Sequence, residues 1–332
     1  MRLPFDEVLA TLQRLFQGEG YPTEAAALSA RLIAETSLDG VYSHGLNRVP
    51  RVLAMIANGS IIVDAEPVRI KGAGAFEQWD GQMGPGNVNA HRCMARALTL
   101  AETHGIGAVA LRHTNHWMRG GSYGWQAADA GCIGICWTNT NQNLPPWGSA
   151  APRIGNNPIV MALPMPEGAV VIDMAMSQYS YGALDSYRKK AERLPVPGGF
   201  DAAGALTDDP GAIEASGRPL PIGYWKGSAL SIALDLIAAG LSEGDATCTI
   251  ASDPLLERSL SQIFIAIKPF SPAFVATVAE QTIQHLHASP AVPGASVRYP
   301  GERTLETRRE NRTLGIPVDP AVWRAILDAS GG

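Results

Sequence analysis

Residues 41–51 read VYSHGLNRVPR, placing Ser43 beside His44 and following them with Asn47, Arg48, Pro50 and Arg51. A histidine ring exchanges protons near neutral pH, whereas a guanidinium keeps its charge and binds carboxylates. Gly40 is expected to end one helix and Asn47 to cap the next, with Pro50 tolerated in its first turn. Ser43 and His44 then fall in the elbow between. The free N–H groups and dipole of a helix start favour negative charge, so Arg48 is misplaced there unless an anion answers both. A carboxylate fits that role. A histidine four residues away can then trade a proton with an oxygen on the neighbouring carbon, as a 2-oxo or 2-hydroxy acid requires. The same residues also fit a structural elbow with a capping histidine and surface arginines.

Other strings carry chemistry less specifically. In LRHTNHWMRGG, His113 and His116 follow a strand-like run, where sites gather in α/β proteins. They fit a polar role at a pocket edge, or a zinc pair lacking a third ligand in register. Cys132 and Cys136 are expected in the core. The dinucleotide fingerprint GxGxxG is missing, and the nearest string, GAGAFE at 72–77, ends in glutamate. GYWKGSAL offers a different phosphate-type site. Gly223 and Gly227 free its backbone, Lys226 supplies a point charge and Ser228 is expected to cap an apolar helix. PGER at 300–303 is a second such turn, and together they allow a dinucleotide held by helix starts.

These residues are carried by a chain of 332, with 26 basic against 31 acidic residues and a formal charge of −5. That length suits an enzyme of two or three domains, and no basic run marks a nucleic-acid footprint. No eighteen apolar residues run together, so no membrane span is expected, and the N-terminus lacks a cleavable leader pattern. A soluble, cytoplasmic protein with reduced thiols is the reading. Helical spacing predicts helices over 4–17, 23–38, from Asn47, over 88–104 closed by Gly105, near 122–130, within 177–193, and over 228–240, 272–287, 303–313 and 319–328. IGAVALR, CIGICWT, PIVMALP, VVIDMA and SQIFIAIKP look like strands, and 195–223 like a long loop over a site. The class is α/β, or α+β with a mixed sheet.

VYSHGLNRVPR, EQWDGQMGPGN, NHWMRGGSYGWQAA, GICWTN, LPPWG, RIGNNP, GYWKGSAL and PGER together resemble the malate/L-lactate dehydrogenase type 2 family over nearly the whole chain, most closely its diketogulonate-reducing branch. The resemblance implies a non-Rossmann nicotinamide-binding fold, in keeping with the missing fingerprint. It implies a helical domain of 1–65 plus 295–332 bearing the elbow, a mixed-sheet cofactor domain of 66–190 plus 220–294, and a loop or small subdomain of 191–219. By motif, His44 takes the acid/base role and Arg48, with Ser43, the substrate carboxylate; His116 and Asp173 fall near the reacting centre. The cofactor, NADH with NADPH as the alternative, is placed against Val170, Val171, Ile172, Asp173, Met174, Ala175, Trp225, Lys226, Gly301, Glu302 and Arg303. No metal is implied, and a homodimer with its site near the subunit contact is.

The implied reaction is reduction of 2,3-diketo-L-gulonate to 3-dehydro-L-gulonate, with hydride to C2 and the proton from His44. TNTNQNLPPWG departs from the branch at polar Asn141-Gln142-Asn143, and 245–259 is diverged. Malate, lactate, sulfolactate, ureidoglycolate and cyclic imino acids such as piperideine-2-carboxylate are therefore alternative substrates. A metal-dependent hydrolase built on His113 and His116, and a non-catalytic sugar-acid binder, are the rivals of other classes.

Overall fold

The computed structural model describes residues 1–331. In chain order its elements are β1 (Arg2–Leu3), α1 (Phe5–Gly18), α2 (Thr23–Leu38), two single-turn 3-10 helices at Tyr42–His44 and Leu46–Arg48, α3 (Val49–Ala57), β2 (Val68–Ala73), β3 (Phe76–Asp80), α4 (Gly86–His104), β4 (Ile106–Asn115), α5 (Gly121–Asp129) and β5 (Ile133–Thr138). There follow β6 (Ile159–Pro164), β7 (Ala169–Met174), α6 (Tyr181–Lys189), β8 (Gly199–Phe200), β9 (Leu206–Thr207), α7 (Pro210–Ser216), α8 (Trp225–Ser242), a 3-10 turn at Pro254–Leu256, β10 (Arg258–Ile267), α9 (Pro272–His287), α10 (Glu302–Leu314), β11 (Ile316–Pro317) and α11 (Pro320–Ala329).

One core is helical. Val8, Leu12, Leu15 and Phe16 recur on one stripe of α1 and bury against the small residues of α2, among them Ala26, Ala30 and Ala34. Trp323 and Ile326 of α11 complete this core from the far end of the chain. β1 pairs with β11 in antiparallel register, Arg2 opposite Pro317 and Leu3 opposite Ile316.

The second body is a seven-stranded sheet of order β2-β3-β4-β10-β5-β6-β7, in which only β3 and β4 run parallel. Side chains alternate across it. Val109 and Leu111 of β4, Cys136 of β5 and Phe264 of β10 join a core with Cys93, Met94 and Ala97 of α4, whereas Ala110, Trp137 and Ile263 face Leu234 and Ala238 of α8. Both faces are thus covered, and β7 is left as an edge. GAGAFE is the β2–β3 hairpin turning at Gly74, not a phosphate loop. A sheet with one parallel pair has none of the switch point at which doubly wound folds bind dinucleotides.

Three local expectations are corrected. Asn47 is exposed and lies within the second 3-10 turn, so α3 begins at Val49 with Arg48 as its N-cap. Ser228 sits inside α8 and accepts the Trp147 N–H at 3.0 Å; the helix is capped instead by Tyr224, at φ 61°. The stretch 195–223 is not a bare loop. Asp209 caps α7 ahead of Pro210, Gly217 closes it, and Leu184, Leu194 and Ile213 form a small core of their own beneath it.

Candidate active site

A cavity of about 550 Å³ opens where the elbow, the β4–α5 loop, the end of β7 and the start of α6 converge. It brings together Ser43, His44, Arg48, His116, Asp173 and Ala175. The elbow is held from behind: the Leu46 N–H donates to Ser37 Oγ at 2.9 Å, and a Cβ on Gly45 would lie 2.2 Å from that oxygen. Only glycine permits this approach of the elbow to α2. On its other side, a Cβ on Gly182 would come within 2.7 Å of Ser43 Cβ. Gly182→Ala is therefore expected to displace Ser43 and lower turnover about tenfold or more, since small misplacements near reacting groups are costly; circular dichroism and melting should show the fold retained.

Ser43 Oγ lies 2.9 Å from His44 Nδ1, and the His44 and His116 rings stack with centroids 6.0 Å apart. Burial, then the charges of Arg48, Arg119 and Arg51, push His44 down to about 4, so the ring is neutral at pH 7. His116 is lowered well below its ordinary value, by burial first and then by Arg48, His44 and Arg51. Its Nδ1 accepts the Met118 N–H at 3.0 Å, so the neutral ring carries its proton on Nε2. That nitrogen faces Arg48 Nη2 at 3.1 Å, donor against donor. An acceptor shared between them would satisfy both donors.

The two arginines of the elbow differ in their partners. Arg51 bonds Glu257 at 2.8 Å, and Glu257 is itself buried and receives the Asn141 N–H. Arg48 has no carboxylate partner among the described residues, and burial with the nearby Arg51 pulls its guanidinium down to about 10. It is the unanswered cation of the cavity. Asp173 Oδ2 accepts the Gly121 N–H at 2.8 Å; burial raises its carboxyl, and Arg119 and that N–H oppose the rise. His113 turns away to Asp80 at 2.8 Å and does not line the cavity. Among the described residues no group of three or more His, Cys, Asp or Glu is placed to hold a metal.

Sequence reasoning missed Arg119, Glu257, Asn156 and Tyr181 as cavity residues. Arg119 stood in plain sight beside His116, but its Asp39 partner is eighty positions away. Glu257 lies in the diverged stretch. Asn143, Asn156, Thr140 and Tyr181 form a bonded polar wall, in which Asn143 Nδ2 and Thr140 Oγ1 both donate to Asn156 Oδ1 and Tyr181 donates to the Asn143 carbonyl.

The remaining candidates lie along β7. Val170, Val171, Ile172 and Met174 are on this edge strand, whose six residues span about 20 Å. At its start, the Val171 N–H bonds the Pro300 carbonyl, and Gly301, at φ 101°, packs so closely that a Cβ would meet Ala169 O at 2.9 Å. That places Glu302 and Arg303 at the first turn of α10. At its end, the Ile222 N–H bonds the Met176 carbonyl, which brings Trp225 and Lys226 into the first turn of α8. Trp225 is 61% exposed, and the cap before it, Tyr224, holds a backbone conformation costly for a non-glycine residue.

Comparison with known proteins identifies the family. The profile of the malate/L-lactate dehydrogenase family matches residues 3–327. The chain is 46% identical over 333 residues to a 2,3-diketo-L-gulonate reductase of Escherichia coli, covering 98% of this chain and 99% of that one. It is 47% identical over 331 residues to the enzyme so named in Citrobacter koseri, with the same coverage. Among solved structures, the Δ1-piperideine-2-carboxylate reductase of Pseudomonas syringae superposes with a TM-score of 0.89 at 27% identity, covering 99% of each chain. The sulfolactate dehydrogenase of Methanocaldococcus jannaschii, at 24% identity and a TM-score of 0.92, covers 100% of this chain and 97% of its own and shares the fold. A mixed sheet without a Rossmann switch point, an elbow that presents a neutral histidine beside an unanswered arginine, and a match along almost its whole length place the chain in the malate/L-lactate dehydrogenase family of oxidoreductases.

Proposed function

We propose that the protein is a reductase of 2-oxo sugar acids, converting 2,3-diketo-L-gulonate to 3-dehydro-L-gulonate with NADH. The observation that carries this reading is the facing pair of donors, Arg48 Nη2 and His116 Nε2, beside His44. A 2-oxo acid supplies the acceptors: its carboxylate answers Arg48, and the adjoining carbonyl oxygen lies within reach of the histidines. The linked wall of Asn143, Asn156, Thr140 and Tyr181 suits the hydroxyls of a sugar acid better than the methyl of lactate. Oxidation of the reduced cofactor with a panel of 2-oxo acids tests the reading. Activity confined to oxaloacetate or pyruvate, or to cyclic imino acids, would move it elsewhere in the family.

The family implies a nicotinamide cofactor, which supplies the hydride. The residues present suit a long ligand laid along β7. Gly301 leaves a floor flush with the strand, Trp225 offers an exposed ring, and Lys226 forms no ion pair among the described residues. Lys226→Ala is expected to weaken cofactor binding by about 1.5–3 kcal/mol, one charge-assisted contact, with substrate KM changed less. Fluorescence titration of the reduced cofactor measures it, and unchanged affinity would remove Lys226 from the site.

His44 holds or moves the proton. In the free protein it is neutral, ready to act as base for the reverse oxidation. Reduction needs it protonated, and the substrate provides the means. A carboxylate on Arg48 cancels one of the charges that depress the ring, so its pKa rises on binding. Affinity for a 2-oxo acid is therefore expected to strengthen, with proton uptake, as pH falls toward the free-protein value of about 4. Calorimetry in buffers of different ionisation enthalpy measures the uptake; a pH-independent affinity with none would show that His44 stays neutral.

A cytoplasmic homodimer completes the proposal. α8 is apolar on both sides: Leu234 and Ala238 pack against the sheet, while Leu230, Ile232, Leu236, Ile237 and Leu241 point outward, Leu236 at 64% exposure. An apolar helix face of this kind belongs against another surface, and a second copy places the contact beside Trp225 and Lys226. The four free cysteines suit a reducing compartment. Sedimentation should give a dimer.

A further inference from the structure

Two adjacent asparagines ahead of β6 have opposite fates. Asn157 is buried and spends its whole amide on the protein: its Oδ1 accepts the Thr140 N–H at 3.0 Å, and its Nδ2 donates to the Ser231 carbonyl at 2.9 Å. Asn156 is half-buried and lines the active-site cavity with His44, Arg48 and His116. Its backbone is fixed on both sides. The N–H donates to Asn143 Oδ1 at 2.8 Å, and the carbonyl accepts the Met176 N–H at 2.7 Å, just past the end of β7.

These bonds decide which way the Asn156 amide faces. Asn143 Oδ1 is taken by a backbone N–H, so the other half of that amide is Nδ2, and it donates to Asn156 Oδ1 at 3.1 Å. Thr140 Oγ1 donates to the same oxygen, also at 3.1 Å. Asn156 therefore turns its oxygen into the wall. Its Nδ2 keeps two hydrogens without a bonded partner among the described residues, and it is not enclosed by protein as the unpartnered oxygens of Asn89 and Asn115 are. A donor held at a fixed angle on the wall of a cavity calls for an acceptor in the ligand. Arg48 and the histidines answer the carboxylate and the C2 carbonyl, which leaves the oxygens farther along the chain. We propose that Asn156 determines specificity in this site, its amide donating to an oxygen borne beyond C2, so that oxygenated 2-oxo acids are taken over apolar ones of equal length, a role that rests on the 2-oxo acid reductase reading.

The test compares kcat/KM of the full chain for two acids with the same number of carbons and the same carboxylate, 2,3-diketo-L-gulonate and 2-oxohexanoate, which lacks every oxygen beyond C2. The parent protein should prefer the sugar acid. Asn156→Leu, close to isosteric, should cut that preference about tenfold, the effect of one hydrogen bond, by a loss on the sugar acid alone. Rates with 2-oxohexanoate and affinity for the reduced cofactor, measured by fluorescence titration, should stay near the parent values. Asn156→Ala gives the same ratio to read if the leucine variant fails to fold. Equal losses on both acids would make the amide structural, and a loss of cofactor affinity would assign it to the cofactor; either overturns the inference, as does an unchanged ratio. A parent protein that reduces neither acid would instead overturn the reductase reading, and this role with it.

Discussion

Replacing His44 with alanine is expected to lower turnover by about 10² to 10⁴ while leaving cofactor affinity intact, because only the proton-transfer step is removed. Little else in the fold depends on the ring: its one side-chain hydrogen bond among the described residues is to the neighbouring Ser43. The pH profile should change as well as the rate. In the parent protein, kcat/KM for reduction rises as pH falls, following a ring whose free value is depressed to about 4; in His44→Ala that dependence is lost. Turnover near the parent value would transfer the role to His116, whose stacked ring faces the same cavity. Steady-state rates across pH, with cofactor binding measured by fluorescence, separate these outcomes.

Arg48→Lys retains a charge but loses the planar fork that can grip both oxygens of a carboxylate. We expect KM for the 2-oxo acid to rise and kcat to fall about 10²-fold, since the carbonyl is no longer held in line with the donor. A carboxamide analogue should suffer less, and cofactor affinity should hardly move. Arg48→Gln goes further. It removes a charge that depresses His44, so the ring's pKa rises in the free protein and proton uptake on substrate binding shrinks. Equal losses for acid and carboxamide, or none for either, would make Arg48 a structural residue.

The elbow was legible because its chemistry is local. Gly40, the Ser43-His44 pair and Arg48 lie within nine residues, and each has a physical reason to be there. The helices α1, α2, α9 and α11 were legible for the same reason, since apolar spacing and flanking Pro and Gly mark them without reference to the rest of the chain. Asn47 shows the limit of that method. It has the right chemistry for a cap, but two successive 3-10 turns carry the chain past it before α3 begins. What tertiary structure decides was not legible. β10 inserts between β4 and β5 from more than a hundred residues away, and nothing in SQIFIAIKP announces its neighbours. Arg119 and Glu257 enter the site through partners equally remote, Asp39 and Arg51.

The pairing of β1 with β11 also bears on how the chain comes to be folded. Residues 68–267 contain all seven strands of the large sheet, so that body can assemble from its own sequence. The helical core cannot: α1 and α2 find Ile316, Trp323 and Ile326 only after residues 316–326 have left the ribosome. Closing so long a loop is slow relative to local contacts. The elbow that carries His44 and Arg48 leans on that core through Ser37 and Leu46. During synthesis the strands of the large sheet are therefore complete before the helical core that braces the elbow can close.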